Sequence, residues 1–255
     1  MAEMDKLKGN DLFKELKHIF REIPASKRDP DSSIQDDLSE KNYSLLNRCN
    51  STSEALKYKK NLLKKIFKYN RKDVVEGVEW VVQSPKDLNP NQKEDFFRAV
   101  HDYICGTLPM GEECVLSSVV HVDERHYDND GNNISKDHLH FVFMPAMPDL
   151  KHDDYDFKLN AHDLCSKKYL YEFHPGLQKY LDERGIKCTV FDSSKSGQKK
   201  LKLTHKQMKE FTAATGIVLE GSVTPAEFAK LLEKSFVKNK NISRETKNQL
   251  REFLR

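Results

Sequence analysis

Residues Ser117 to Pro145, SSVVHVDERHYDNDGNNISKDHLHFVFMP, constrain the fold of this chain more than any other stretch. They form two alternating apolar segments separated by a polar excursion. In the first, Val119, His121 and Asp123 share one face at period two, and Val120 and Val122 share the other. In the second, His138, His140 and Val142 share a face, while Leu139, Phe141 and Phe143 make a wholly apolar one. Asp128-Asn129-Asp130-Gly131-Asn132 is turn chemistry, and no bidentate Glu follows at the spacing of a calcium loop. The pattern predicts a β-hairpin with a long tip and its apolar face on a core. His121, His138 and His140 then point together on the solvent side, within cross-strand reach. Three neutral imidazoles with an open position suit a divalent transition metal. The competing reading is three exposed polar residues alternating with a core face.

The rest of the chain sets the frame for that site. At 255 residues it can bury a substantial core. A third of its residues are charged and no apolar run approaches membrane-spanning length. The N-terminus has no apolar stretch of the signal-peptide kind, which points to the cytoplasm and away from a membrane. Cys49, Cys105, Cys114, Cys165 and Cys188 are odd in number and show no CxxC spacing, as expected of free thiols in a reducing compartment. The net charge is only +3, but its distribution is uneven. Ala55 to Lys72 holds eight Lys or Arg and no acid, and Lys195 to Lys209 holds six Lys and no acid. Two such blocks suggest a polyanionic partner such as DNA, with Lys59, Lys60, Lys64, Lys65, Lys199 and Lys200 as phosphate contacts. Solvated faces are the simpler reading.

In chain order, Asp11 to Glu22 predicts an amphipathic helix with Asp11 as its N-cap, which places His18 and Arg21 one turn apart. Ile23 to Ser53 reads as a long loop, and Thr52 to Asn70 as a helix with the lysines on its outer face. Val74 to Gln83 reads as a buried strand carrying the single tryptophan. Asn89-Pro90 opens a helix whose buried face includes Phe96, Phe97, Val100 and Ile104. Asn160 to Gly185 is mostly helical, with a kink or split expected at Pro175-Gly176 and a C-cap at Gly185. Ile186 to Phe191 is expected to be a closing edge strand. Ser193 to Lys200 reads as a linker, followed by helical patterns at Thr204 to Thr215, Thr224 to Phe236 and Ser243 to Arg255. The expected architecture is α+β: an antiparallel sheet with helices packed mainly on one face over residues 1–192, then a linker and small helical module over 193–255.

H-x-D-E at His121 to Glu124, followed by H-x-H-F-V-F-x-P from His138 to Pro145, resembles the metal motif of the Mob/Pre plasmid mobilisation and recombination relaxases, within the HUH endonucleases. K-H-I-F-R-E around His18 resembles that family's early H-x-x-R, and Asn42-Tyr43 with Leu45-Leu46 its N-Y-x-L segment. The resemblance runs from about Lys6 to Val190. It implies a metal-dependent enzyme that nicks and rejoins one DNA strand at a plasmid origin through a covalent 5′-phosphoryl intermediate. It further implies that His121, His138 and His140 hold Mn²⁺ or, alternatively, Mg²⁺, and that His18 is the nucleophile with Arg21 near the phosphate. Tyr43 is the rival nucleophile. Glu124 would orient a histidine or take a proton, although strict alternation puts Asp123, not Glu124, on the histidine face. The family opens with a strand before the His18 helix, and Met1 to Gly9 is short and polar for that role. Two other functions fit the residues: a hydrolase that uses water, and a non-catalytic DNA-binding protein with a structural metal.

Overall fold

The structure is a computed structural model that describes residues 2–28, 32–125, 127, 133, 135–191, 212, 223–224 and 227–231. Two compact units are present, Met1–Arg125 with Ser135–Phe191, and His126–Ile134 with Asp192–Arg255. The first unit contains β1 (Ala2–Leu7), α1 (Gly9–Ile19), β2 (Tyr43–Ser44), α2 (Thr52–Leu62), β3 (Ile66–Phe67), β4 (Gly77–Gln83) and α3 (Lys93–Thr107). It continues with β5 (Val115–His121), β6 (His138–Phe143), β7 (Ala146–Pro148), β8 (Phe157–Leu159), α4 (Ala161–Leu164) and α5 (Lys167–Glu183). Five strands form an antiparallel sheet in the order β1-β4-β6-β5-β2, and β3-β8-β7 form a second sheet.

The α+β expectation holds, and the hairpin of β5 and β6 lies at the middle of the larger sheet. Its apolar face is covered by α3 and α5. Trp80 is fully buried and stacks on Phe173 of α5, with ring centroids 4.0 Å apart. His101 of α3 meets the Phe141 ring edge-on at 5.4 Å. The opposite face is not open to solvent, contrary to expectation. α1 packs across it, and a Cβ on Gly77 of β4 would lie 2.9 Å from a Leu12 methyl. Leu12, Leu16 and Ile19 are the residues this packing buries.

Several local expectations are corrected. β1 exists despite its polar sequence, because six positions pair with the buried strand β4 and an edge strand tolerates charge on its outer side. α1 starts at Gly9 after Lys8, so Asp11 sits in the first turn, where it complements the helix dipole. The lysine-rich helix stops at Leu62. Ile66 is then buried and pairs, with Phe67, in parallel with Phe157 and Lys158, so long-range pairing overrides local propensity. α5 runs unbroken through Pro175, and the break falls earlier, where Ser166 caps α5 by accepting from the Tyr169 amide. Gly176 sits at a close approach, where a Cβ would meet the Tyr103 hydroxyl. Residues 186–191 form no strand. Asp87 accepts from Thr189, and the Gln178 side chain accepts from the Val190 and Phe191 amides, so side chains replace a ladder. Gly185, in a left-handed conformation at φ 71°, ends α5 as expected.

In the second unit, Tyr127 and Asn133 pair antiparallel, and residues 227–231 are helical. Thr224 and Glu227 cap that helix reciprocally, amide to side chain in both directions. The turn at 128–132, Lys199, Lys200 and most of the expected C-terminal helices lie outside the described residues. No helix among the described residues is long and apolar enough to cross a membrane.

Candidate active site

The register of the central hairpin assembles the histidines. His121 pairs with His138 and Val119 with His140, so three imidazoles share one face. Ring centroids are 5.5 Å apart for His121 and His138, 4.5 Å for His121 and His140, and 4.9 Å for His138 and His140. The last turn of α1 adds a fourth. The His18 ring lies 5.4 Å from His140 and 5.7 Å from His121, and its side chain keeps 32% of its surface exposed. His121 is completely buried and His140 nearly so.

Each of the three strand histidines has one nitrogen engaged and the other directed inward. His121 Nε2 lies 2.9 Å from the Ile19 carbonyl, His138 Nδ1 lies 3.1 Å from the Lys136 carbonyl, and His140 Nδ1 lies 2.6 Å from Glu79 Oε1. A backbone carbonyl can only accept, so His121 carries its proton on Nε2 and His138 on Nδ1. This leaves lone pairs on His121 Nδ1 and His138 Nε2. His121 Nδ1 and His140 Nε2 are buried and have no hydrogen-bond partner. Burial pushes the pKa of His121 down and that of His140 well down, with neighbouring imidazoles adding to the effect, so both rings are neutral. Neutral, oriented, unpaired nitrogens facing a common centre are what a transition-metal ion requires, and hydrogen bonds on the far nitrogens are the usual support of such ligands. The residues fit the ion.

Glu124 enters this group because β5 ends at His121. Val122 then donates its amide to the Asn42 side chain, Gln35 donates to the Asp123 carbonyl, and Glu124 bridges to Ile34. The strand therefore turns, and alternation no longer dictates the side of the sheet. Glu124 Oε1 lies 3.4 Å from His18 Nε2 and 3.6 Å from His121 Nδ1, and Oε2 lies 3.6 Å from His138 Nε2. Two ligands of one ion, each about 2.1 Å from it, stand about 3–3.5 Å apart, so these spacings are close to those of shared coordination. Ligand atoms of His18, His121, Glu124 and His140 all lie within 4.8 Å of one another. His138 is not part of that group, but its Nε2 faces Glu124 Oε2. Burial acts to raise the Glu124 carboxyl, but the His121, His18, His138 and Arg21 side chains outweigh it and hold it well below the usual carboxylate range.

Asp123, the expected partner of a histidine, is taken by Arg21 instead. Arg21 Nε and Nη2 donate to its two oxygens at 2.8 and 2.6 Å, and Ser39 adds a third bond at 2.7 Å. Burial raises the Asp123 carboxyl, while Arg21 and Ser39 bring it down to about 2. Arg21 Nη2 also reaches Glu124 at 2.8 Å, and Nη1 donates to the His18 carbonyl at 3.0 Å. The guanidinium therefore ties the end of α1 to the turn after β5. Arg21 is the only non-glycine residue with positive φ among those described, at 55°, in the position after a helix where glycine is favoured. Strain of this kind costs about 1–3 kcal/mol, which the bidentate pair offsets.

Tyr43 is not brought to the site. It pairs with Val120, which puts it on the apolar side of the sheet, and burial pushes its hydroxyl up to about 12. Among the expected DNA contacts, Lys59 is mostly buried in an ion pair with Glu76, whereas Lys60, Lys64 and Lys65 are exposed. Glu79 and Glu15 are site neighbours that the motifs did not point to. Glu79 is 4% exposed, and Glu15 Oε1 lies 4.0 Å from His140 Nδ1. Burial, with Glu15 and Asp5 nearby, pushes the Glu79 carboxyl well up. One signal was available, since Glu79 is an acid inside an apolar strand.

The fold is shared with solved relaxase domains. The MobM relaxase domain (MOBV; Mob_Pre) bound to a 22-nucleotide plasmid pMV158 oriT DNA with a 3′-thiophosphate, in an Mn-bound structure, matches with a TM-score of 0.62. Identity is 23%, over 83% of this chain and 97% of that one. An Mn-bound MobM complex with 23-nucleotide oriT DNA matches with a TM-score of 0.60 and 24% identity, over 84% and 97% of the two chains. At these identities the likeness shows the fold. The family described as plasmid recombination enzyme, Mob_Pre, matches residues 1–213, and the chain belongs to it. No curated protein matches.

Proposed function

We propose that this chain is a metal-dependent relaxase that nicks and rejoins one strand of DNA at a plasmid origin. The observation that carries this reading is the convergence of His18 with the inward-facing nitrogens of His121, His138 and His140 beside an ionised Glu124. The Mn²⁺-bound oriT complexes of MobM support it. His121 Nδ1, His138 Nε2 and His140 Nε2 hold a divalent ion, and an all-imidazole set favours Mn²⁺ over Mg²⁺. The ion, when bound, supplies positive charge to the scissile phosphate oxygens. His18 differs from the other three in coming from the end of α1 and in keeping 32% of its side chain exposed, with Nε2 3.3 Å from Arg21 Nη1 and 3.4 Å from Glu124 Oε1. It attacks phosphorus, the bond from phosphorus to the 3′ oxygen breaks, and that oxygen leaves and takes up a proton. Glu124 takes the ring proton that His18 sheds on becoming phosphorylated. Reversal by a 3′ hydroxyl rejoins the strand. Arg21 holds Glu124 and the His18 turn in place and does not stand free for the phosphate.

We assign this activity to residues 1–192 and to the cytoplasm, where plasmid DNA lies. To residues 193–255 we assign a contact with DNA or a partner. A denaturing gel after incubation with Mn²⁺ and single-stranded origin DNA tests the reading. A covalent protein–DNA band supports it, free cleaved DNA points to water as nucleophile, and intact DNA reduces the protein to a binder.

A further inference from the structure

The three-stranded sheet takes no part in the site above, yet it carries an aromatic surface. Ile66 is 1% exposed, so the adjacent Phe67 turns to the other side of β3, away from the core. The Phe67 ring stacks on the His152 imidazole with centroids 3.6 Å apart and planes at 17°. Tyr69 and Tyr155 meet Phe67 edge-on at 5.0 and 5.5 Å. Tyr69 is 39% exposed with the Arg71 guanidinium 5.7 Å from its ring centre, and Leu150, on the loop that carries His152, is 95% exposed. Asp149 fixes the His152 ring through Nδ1. Around this patch Lys64, Lys65, Lys72 and Lys151 are exposed and make no side-chain ion pair among the described residues.

We propose that this surface binds the bases of a single-stranded DNA segment away from the nick. Bases stack on Tyr69 and on the Phe67–His152 pair, and their phosphates run along Lys64, Lys65 and Lys72. An outward sheet face with aromatic rings and unpaired lysines is the chemistry that recognises unpaired bases, because every base has a π-face to stack and a phosphate to neutralise. Duplex DNA hides those faces. Asp153, Asp154 and Asp156 lie on the loop before β8 and repel phosphate, which confines the strand's path to the β3 side. The proposal rests on the DNA reading above and extends it to a second contact.

The full chain is titrated with a labelled single-stranded oligothymidylate and with a duplex of equal length. Tyr69→Ala weakens single-strand binding about tenfold or more while leaving duplex binding and the salt slope unchanged, because stacking releases no counterions. Tyr69→Trp restores affinity, and its emission falls on binding. The chain's own Trp80 is fully buried, so the change reports the new side chain. Parent-like binding by Tyr69→Ala, an equal loss on duplex, or unquenched emission at saturation overturns the surface and leaves the nicking reading standing. Failure of the parent to bind any single strand overturns both.

Discussion

The central sheet has two faces that are both largely buried and do opposite things. Leu139, Phe141 and Phe143 are completely buried against α3 and α5, where Trp80 and Phe173 stack. On the other side His121 and Asp123 are as fully buried, and Glu79 is 4% exposed, but the space holds imidazoles, carboxylates and a guanidinium. The apolar face is complete without a ligand. The histidine face keeps lone pairs on His121 Nδ1 and His140 Nε2 unused and holds Arg21 at φ 55°. Burial therefore does not separate a core from a site in this sheet. Unpaired polar atoms alone do not separate them either, since the Trp80 indole nitrogen on the apolar face also lacks a partner; the distinguishing feature is unpaired imidazole nitrogens gathered beside an ionised carboxylate.

The sharpest way to break this comparison is at its reacting residue. His18→Ala should lower adduct formation by about 10³-fold or more while Mn²⁺ still binds, and Tyr43→Phe should form adduct normally. A gel with the adduct missing only in Tyr43→Phe would move the chemistry to the apolar side. Phe141→Ala, one residue from His140, should cost about 3–5 kcal/mol of stability by denaturant titration, because it opens a cavity in a packed core. If it instead abolished Mn²⁺ binding in the folded protein, the two faces would not be separable. Glu79→Gln should weaken Mn²⁺ about 10–100-fold by calorimetry through loss of the carboxyl group that orients His140. His138→Ala should weaken it further, and the reverse order would remove His138 from the ligand set.

Smaller effects separate lysines that hold the fold from lysines free for phosphate. Burial raises the Glu76 carboxyl, but Lys59 and Lys68 outweigh it and hold it below its ordinary 4.5. Its folded value is thus below its unfolded one. The ion pairs contribute stability above the ordinary value, and that contribution is lost as pH falls through the folded value. Glu76→Gln should flatten the acid side of the stability curve below about pH 4.5. An unchanged curve would mean that these pairs contribute nothing. Neutralising Lys60, Lys64 and Lys65 should reduce the salt slope of single-strand binding by about 0.7 for each phosphate left without its lysine, equally for all sequences. A change in sequence preference at constant slope would contradict binding to the backbone.

Much of this was legible in the chain itself. Period-two alternation from Val119 to Asp123 and His138 to Phe143 specified both strands and put three histidines on one face. Helical spacing put His18 on α1, and Gly185 and Thr224 with Glu227 marked helix ends, but Arg21 lies beyond the end of α1 and meets His18 through a left-handed turn, and Asn89 caps a short 3-10 turn that precedes α3. These signals are local, written in spacing and in which residues satisfy a helix terminus. Tertiary structure decided the rest. β1 and β3 exist because distant strands supply hydrogen-bond partners. Glu124 faces the histidines because Asn42, Gln35 and Ile34 bend the chain after His121. Arg21 holds a conformation its own residue type disfavours because Asp123, 102 positions away, anchors its side chain. Glu15 and Glu79 surround His140 only once α1 lies across the sheet. Local sequence determines which side chains share a face. Which faces close on one another is set by segments far apart in the chain, and no local period records them.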